Sequence, residues 1–422
     1  MSARMAGSFA SRAVVLACAL GFGGVAQAAT ATLIRNATVH AVDGSEARQA
    51  IDVLLRDGRI AAIGSGLAAD GVQVVDAGGR ALTPGLFGGL SGLGIEDVSG
   101  ERSTVDSAVA FGSEQAPWEV QWRPEFDVAL AFNPRSAAIG VNRVEGITWT
   151  VLAPAAVEGG SFVAGQGAAV SLGGSYDAVL DGSNALFVNL GSDATGLSGG
   201  SRAAQWMLLD QAIAEAKSAG EPPRPLLTLT GRATMKRYLA GGRVVFHVDR
   251  AADIVRVLEF AEANGIAPVI AGGTEAWLVA ERIAAARAPV LLDSLSNLPD
   301  DFDRLGASLQ NAARLHAAGV KIAFSQGGDA THNARKVRQL AGNAVANGLP
   351  WDAALAALTR NPAEIFGQSD RGHIAVGQVA DLVLWSGDPL EVTTAADAVW
   401  IGGVAQSMQS RQTLLRDRYM AR

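Results

Sequence analysis

The chain is poor in the side chains that covalent and metal chemistry draws on. Its 422 residues hold one cysteine, Cys18, and five histidines. A lone thiol excludes an internal disulfide and every zinc site built mainly on thiolates. No Gly-x-Gly-x-x-Gly follows a strand, no Walker loop is present, and no nucleophile elbow of the Gly-x-Ser-x-Gly type is read. Gly159-Gly160 and Gly165-x-Gly167 are isolated glycine loops, read as turns rather than phosphate cradles. No short-period repeat is evident, and no apolar run reaches the ~20 residues a membrane-spanning helix needs. Positive charge is also short, with 34 Lys and Arg against 41 Asp and Glu, a formal net charge of −7. That balance argues against nucleic acid and anionic membranes as partners.

What is present begins with a leader. Arg4 and Arg12 precede the apolar run Ala13 to Val25, and Ala26-Gln27-Ala28 offers small residues at a cleavage position. Residues 1–28 therefore read as a secretory signal, which predicts a secreted or periplasmic chain that is not an integral membrane protein after cleavage. Cys18 leaves with the leader, so the mature chain has no thiol, and its net charge becomes −9.

The mature start is strand-like. Thr32 to Val39, Ile51 to Leu55 and Arg59 to Ile63 are β-type runs, the last two joined by the hairpin signal Asp57-Gly58. Val72 to Val75 adds a short strand. These are too few to close a core alone, and matching runs lie at the other end, Ala380 to Trp385 and Ala398 to Ile401. The expectation is a small β-sandwich built from both termini, residues 29–83 and 371–422.

Between them, residues 84–370 alternate short apolar runs with helical stretches. Strands are expected at Thr148–Leu152, Ala185–Leu190, Val244–Val248, Pro268–Ala271, Val290–Leu292 and Lys321–Phe324. Helices are expected at Ala203–Ala219, Ala251–Asn264, Glu275–Ala286 and Leu309–Ala318. Repeated strand–helix units predict an α/β fold with a parallel sheet, and at this length a (β/α)8 barrel.

Several motifs then point to a family. Thr83-Pro84-Gly85-Leu86, Arg250-Ala251-Ala252-Asp253-Ile254 and Gly273-Thr274-Glu275-Ala276-Trp277 come in that order. His332-Asn333-Ala334-Arg335, Ala380 to Trp385 with Gly387-Asp388-Pro389, and Arg411 to Leu415 follow. Together they resemble the amidohydrolase superfamily, in particular its secreted imidazolonepropionase-like and prolidase-like branch, over essentially the whole mature chain. The resemblance implies a barrel that hydrolyses carbon–nitrogen bonds of small amides or peptides with one or two divalent metals such as Zn²⁺. It implies ligands from a first-strand His-x-His, histidines ending the fifth and sixth strands, and an aspartate ending the eighth. In some branches a carboxylated lysine on the fourth strand bridges two metals.

Carried over position by position, the first-strand pair reads Leu90-x-Gly92, which cannot coordinate. His247 matches the fifth-strand histidine, as a vestigial ligand or a barrel-mouth histidine bonded to a neighbour. The sixth strand ends Ala271-Gly272-Gly273 without a histidine, and no fourth-strand lysine falls in Ala185 to Leu190. The eighth-strand aspartate would fall at Gln326 or Gly327. Asp329 replaces it as catalytic carboxylate only if its loop swings back; otherwise it caps the next helix. His40 and His373 belong to the terminal β-structure, His316 to a helix. A rearranged site from His247, His332, Asp329 and Glu275, or one using Glu96 and Asp97, is the remaining metal arrangement. Trp118, Trp122, Trp206 and Trp277 are read as ligand-pocket or packing aromatics.

Two functions follow. One is a hydrolase of carbon–nitrogen bonds with a reduced or rearranged metal site. The other is a pseudoenzyme whose barrel mouth binds a small molecule, a peptide or a partner without turnover. A homo-oligomer, or a hetero-oligomer with a catalytically complete relative, is a further arrangement the sequence allows.

Overall fold

Alternation of apolar side chains along short strands sets the architecture, and the computed structural model describes residues 31–111, 120–220, 222–296, 298–328 and 330–420. Residues 1–28, expected to be a leader, lie outside these residues, as does Trp118. The first strands are β1 (Thr32–Val39), β2 (Arg48–Arg56), β3 (Arg59–Gly64), β4 (Gln73–Asp76) and β5 (Ala81–Pro84). Next come β6 (Leu86–Ser91), β7 (Ile147–Leu152), β8 (Val163–Gly167), β9 (Ala169–Ser171) and β10 (Ala185–Asn189). The series ends with β11 (Arg243–Val248), β12 (Ala267–Gly272), β13 (Val290–Leu292), β14 (Ile322–Phe324), β15 (Leu382–Trp385), β16 (Ala396–Ile401) and β17 (Val404–Ala405).

The two ends of the chain do join. β5 pairs antiparallel with β15 in a single eight-stranded sheet of order β17-β16-β15-β5-β1-β2-β3, with β4 beside β1. Its apolar residues, among them Ile34, Val53, Leu82, Leu382 and Trp400, form their own core. The buried pair Arg371–Asp381, at 2.8 Å, sits at the start of the returning segment.

The central strands form a six-stranded sheet, β14-β13-β12-β11-β10-β8, and a three-stranded one, β6-β7-β9. Side chains on one face of both sheets meet in one apolar cluster: Phe87, Trp149, Phe187, Val245, Val269 and Leu291. The sequence neighbours of five of them, Leu86, Leu186, Val244, Ile270 and Val290, pack outward with the helices. This period of two on strands buried on both faces is the pattern of a helix-covered parallel sheet. Each such large side chain contributes about 2–3 kcal/mol on leaving water.

The expectation of eight parallel strands in a hydrogen-bonded barrel is corrected in two respects. Among the described residues the central ladder runs as two separate sheets, bridged between β6 and β14 by the Leu90 N–H donating to Ser325 Oγ at 2.9 Å. In addition, β8 and β9 run antiparallel to β10 and β7. The cause is connection length. Residues 153–162 and 172–184 carry no helix, and a parallel crossover needs a dozen or more residues, usually helical. Gly165 and Gly167, read as turns, therefore lie within a strand. A Cβ on Gly167 would come within 1.9 Å of the Leu152 carbonyl oxygen, so β8 passes too close for a side chain.

The helices follow expectation except one. Arg202–Lys217 and Ala251–Asn264 are continuous, whereas the stretch expected at Glu275–Ala286 splits into a 3-10 turn, Ala276–Val279, and a helix, Ala280–Ala285. Among the described residues no helix is long and apolar enough to cross a membrane.

Candidate functional site

The C-terminal ends of the central strands surround a cavity of about 940 Å³. In an α/β sheet this is where ligands bind, because loops following the strands converge there over a rigid support. Leu90, Asn189, His247 and Ala271 reach it from four strands, and Asp249, Asp293 and Ser325 lie just past three strand ends.

Each position expected to have lost a metal ligand is closed by packing. Leu90 is 5% exposed and belongs to the apolar cluster inside the sheets, beside Phe87, Trp149 and Val151. Gly92 donates its N–H to Thr331 Oγ1 at 3.1 Å. A Cβ there would stand 2.7 Å from that oxygen and 3.1 Å from Glu96 Oε2, so an imidazole has no room. Gly272 has φ of 87°, and its Cβ would meet Asp249 Oδ1 at 2.7 Å. The Asp249 carboxylate is fixed there, accepting from Thr274 Oγ1 at 2.7 Å and Arg304 Nε at 3.0 Å. The residues present do not fit the metal that the resemblance implies. Among the described residues no three His, Cys, Asp or Glu side chains come together as a metal-holding group.

His247 is in the cavity, as the sequence places it. It pairs across the sheet with Asn189 and Ala271 and stacks near Phe187, ring centroids 6.4 Å apart. Burial pushes its imidazole below the ordinary value, with Asp249 acting in the opposite sense. The proposed companions are elsewhere or otherwise engaged. Asp329 lies outside the described residues. His332 is exposed, its Nε2 3.4 Å from an Arg335 nitrogen. Glu275 is structural: its two oxygens accept from Ala251 N at 2.9 Å and Gly306 N at 2.7 Å, tying the start of a helix to a distant loop. Asp97 pairs with the Ser136 hydroxyl, while Glu96 faces the cavity. Gln326 does not stand alone at the end of β14, since its Nε2 donates to Asp293 Oδ2 at 3.2 Å.

Several residues escaped the sequence reading. Asp293 accepts from Gly327 N at 2.8 Å and Leu295 N at 2.9 Å, and Asn189 points a buried Nδ2 that has no partner among the described residues. The signal available was position, one residue past Leu292 and one before Leu190. Asp303, at 6% exposure, accepts from Ser192 N and Oγ and pairs with Arg202. Burial alone would raise its carboxyl, but the two serine donors and Arg202 hold it below the ordinary range. The cavity wall carries seven carboxylates, at positions 96, 193, 249, 293, 300, 301 and 303, against one guanidinium, Arg304. Glu96 and Asp293 are in no ion pair among the described residues. Gly196-Leu197-Ser198-Gly199-Gly200 does spell Gly-x-Ser-x-Gly, a match the sequence reading missed. It forms a 3-10 turn, Ser192–Ser198, in which Ser198 is 3% exposed and bonded to the Thr195 carbonyl, not an exposed elbow.

Comparison with known proteins follows this geometry. Residues 234–405 match the Amidohydrolase family. Amidohydrolase tasK of Hapsidospora irregularis is 50% identical over 60 residues, which span 14% of this chain and only 6% of that protein. An amidohydrolase from Thermotoga maritima MSB8 superposes with a TM-score of 0.77 at 24% identity, over 90% of this chain and all of that one. A triazine hydrolase variant gives 0.54 at 15% identity, over 93% and 99% of the two chains. A prolidase complexed with n-methylphosphonate-l-proline gives 0.52 at 15% identity, over 90% and 100%. Likeness at these identities concerns the fold: the chain has a mixed α/β fold shared with these solved structures, and residues 234–405 are similar to the Amidohydrolase family.

Proposed function

We propose that this chain binds small amine-bearing amides or peptides at the strand-end cavity without metal-driven turnover. The observation that carries the reading is the closure of Leu90, Gly92 and Gly272 while the cavity beside them stays open. Binding chemistry is intact where metal chemistry is not. The Asn189 amide offers an uncommitted donor for a carbonyl, and Glu96 and Asp293 offer carboxylates for an ammonium group. On the same reading the two central sheets are one (β/α)8-type barrel with a reversed third strand, spanning 84–370. The terminal strands, 29–83 and 371–422, are its composite β-sandwich. Export through the leader to the periplasm belongs to the proposal as well.

Calorimetric titration of the mature chain with dipeptides and amino-acid amides tests it, alongside metal content by mass spectrometry after incubation with Zn²⁺ or Mn²⁺. We expect saturable binding, weakened about tenfold in Asn189→Leu, the loss of roughly one buried hydrogen bond, with no hydrolysis. Stoichiometric metal that disappears in His247→Ala, together with turnover of any amide in the panel, would overturn it. The second reading, hydrolysis of carbon–nitrogen bonds, is favoured by the family match over residues 234–405 and by the prolidase and triazine hydrolase among the structural neighbours.

A further inference from the structure

At the opposite ends of the strands lies a second cavity, of about 700 Å³, bordered by the starts of β11 and β12. Its wall carries three arginines, Arg237, Arg243 and Arg287, and no aspartate or glutamate. None of the three forms an ion pair among the described residues. In a chain with net charge −7 this is an unexpected concentration of unbalanced positive charge.

The three are held differently. Arg243 is half-buried, donating to the Asn184 carbonyl at 3.1 Å and lying over the Phe366 ring at 5.6 Å. Its Nη1 donates to carbonyl oxygens, which do not cancel its charge, and burial pushes its guanidinium below the usual value. Arg237 donates to Gln166 Oε1 at 3.1 Å. Tyr238 donates to the same oxygen at 3.0 Å; its hydroxyl is pushed up to about 12, by burial first and Asp127 in addition, against Arg237 and Arg243. Arg287 sits at φ of 53°, closing the turn after the Ala280–Ala285 helix. Glycine fills such a position at less cost. Its side chain has no hydrogen bond or ion pair among the described residues.

Guanidinium groups stay charged at any working pH, and three in one cavity repel unless an anion joins them. Three forks also present more donors than the two oxygens of one carboxylate can accept, whereas a phosphate group has enough acceptors. We infer that this cavity is a binding site for a phosphate group, supplied by inorganic phosphate or by a small phosphate monoester. It does not depend on what the strand-end cavity does.

The test is titration of the mature chain at low ionic strength with inorganic phosphate, glycerol phosphate, citrate and acetate, read by calorimetry and thermal shift. Phosphate and glycerol phosphate should bind saturably, and citrate, whose three carboxylates match the donors as well, serves as a measure of general anion binding; tighter binding of glycerol phosphate identifies the monoester as the source. The double variant Arg237→Gln/Arg287→Gln removes two exposed side chains and should weaken binding at least about tenfold. The control pair Arg48→Gln/Arg56→Gln, exposed and unpaired on β2, removes equal charge and should change it less than about twofold. Should the double variant fail to fold, Arg287→Gln alone, on the exposed turn, takes its place. The inference is overturned by absence of saturable binding of both phosphates up to about 10 mM, a range that covers weak single-anion sites. Equal weakening in the control pair, or acetate, a single carboxylate, binding as tightly as phosphate, overturns it too.

Discussion

The interior of the central sheets and their rim obey different constraints. Inside, Phe87, Trp149, Phe187 and Val245 meet as large apolar side chains in one buried cluster. At the rim, a few residues further along the same strands, the pattern gives way to Gly92, Gly272 and hydrogen-bonded carboxylates such as Asp249 and Asp293. The interior is selected by packing, where volume and apolarity suffice. The rim is set by hydrogen bonds instead: Thr331 and Asp249 occupy the space beside Gly92 and Gly272.

The contrast is open to experiment. The largest effect should come from the interior: Phe187→Ala leaves a cavity under the rim and should cost about 3–5 kcal/mol in urea unfolding. A cost near that of a surface substitution would mean the cluster is not the core. Next is the attempt to rebuild the rim. Gly92→His should destabilise by about 1–3 kcal/mol through overpacking against Thr331 and Glu96, and should recover no stoichiometric zinc by mass spectrometry. Zinc recovered by this one change would erase the distinction between filled and vacant positions. The smallest effect concerns pH. With the folded-state imidazole of His247 held low by burial, the unfolded chain binds its proton first, so stability declines as pH falls below 6.5. His247→Asn should flatten that decline, leaving the part due to His40, which burial also holds low against Asp388 and Asp352. An unchanged pH profile in the variant would place His247 in a solvated setting.

Legibility tracked the range of the interactions. Strands such as Val290–Leu292 and the helix Ala251–Asn264 were readable because period and capping are local. The reversed β8 and β9 were not, although the missing helix in residues 153–162 was a usable sign, since the glycines suggested turns rather than close passage against Leu152. At the site, His247 was found because it ends a strand. Asn189 and Asp293 were passed over because what makes them notable, a buried amide without a partner and a carboxylate anchored by a distant loop, depends on neighbours far along the chain.

By itself, then, the sequence determined the alternation of strands and helices and the absence of coordinating side chains at positions 90, 92 and 272. Composition and periodicity are sufficient for these, because each follows from residue type and local spacing. Only the tertiary structure decided that a side chain at Gly92 or Gly272 would meet Thr331 or Asp249, and that the two termini join through β5 and β15. Only there, too, does Arg287 share one wall with Arg237 and Arg243: residues 44 and 50 apart in sequence acquire a common electrostatic field only when the chain brings them together.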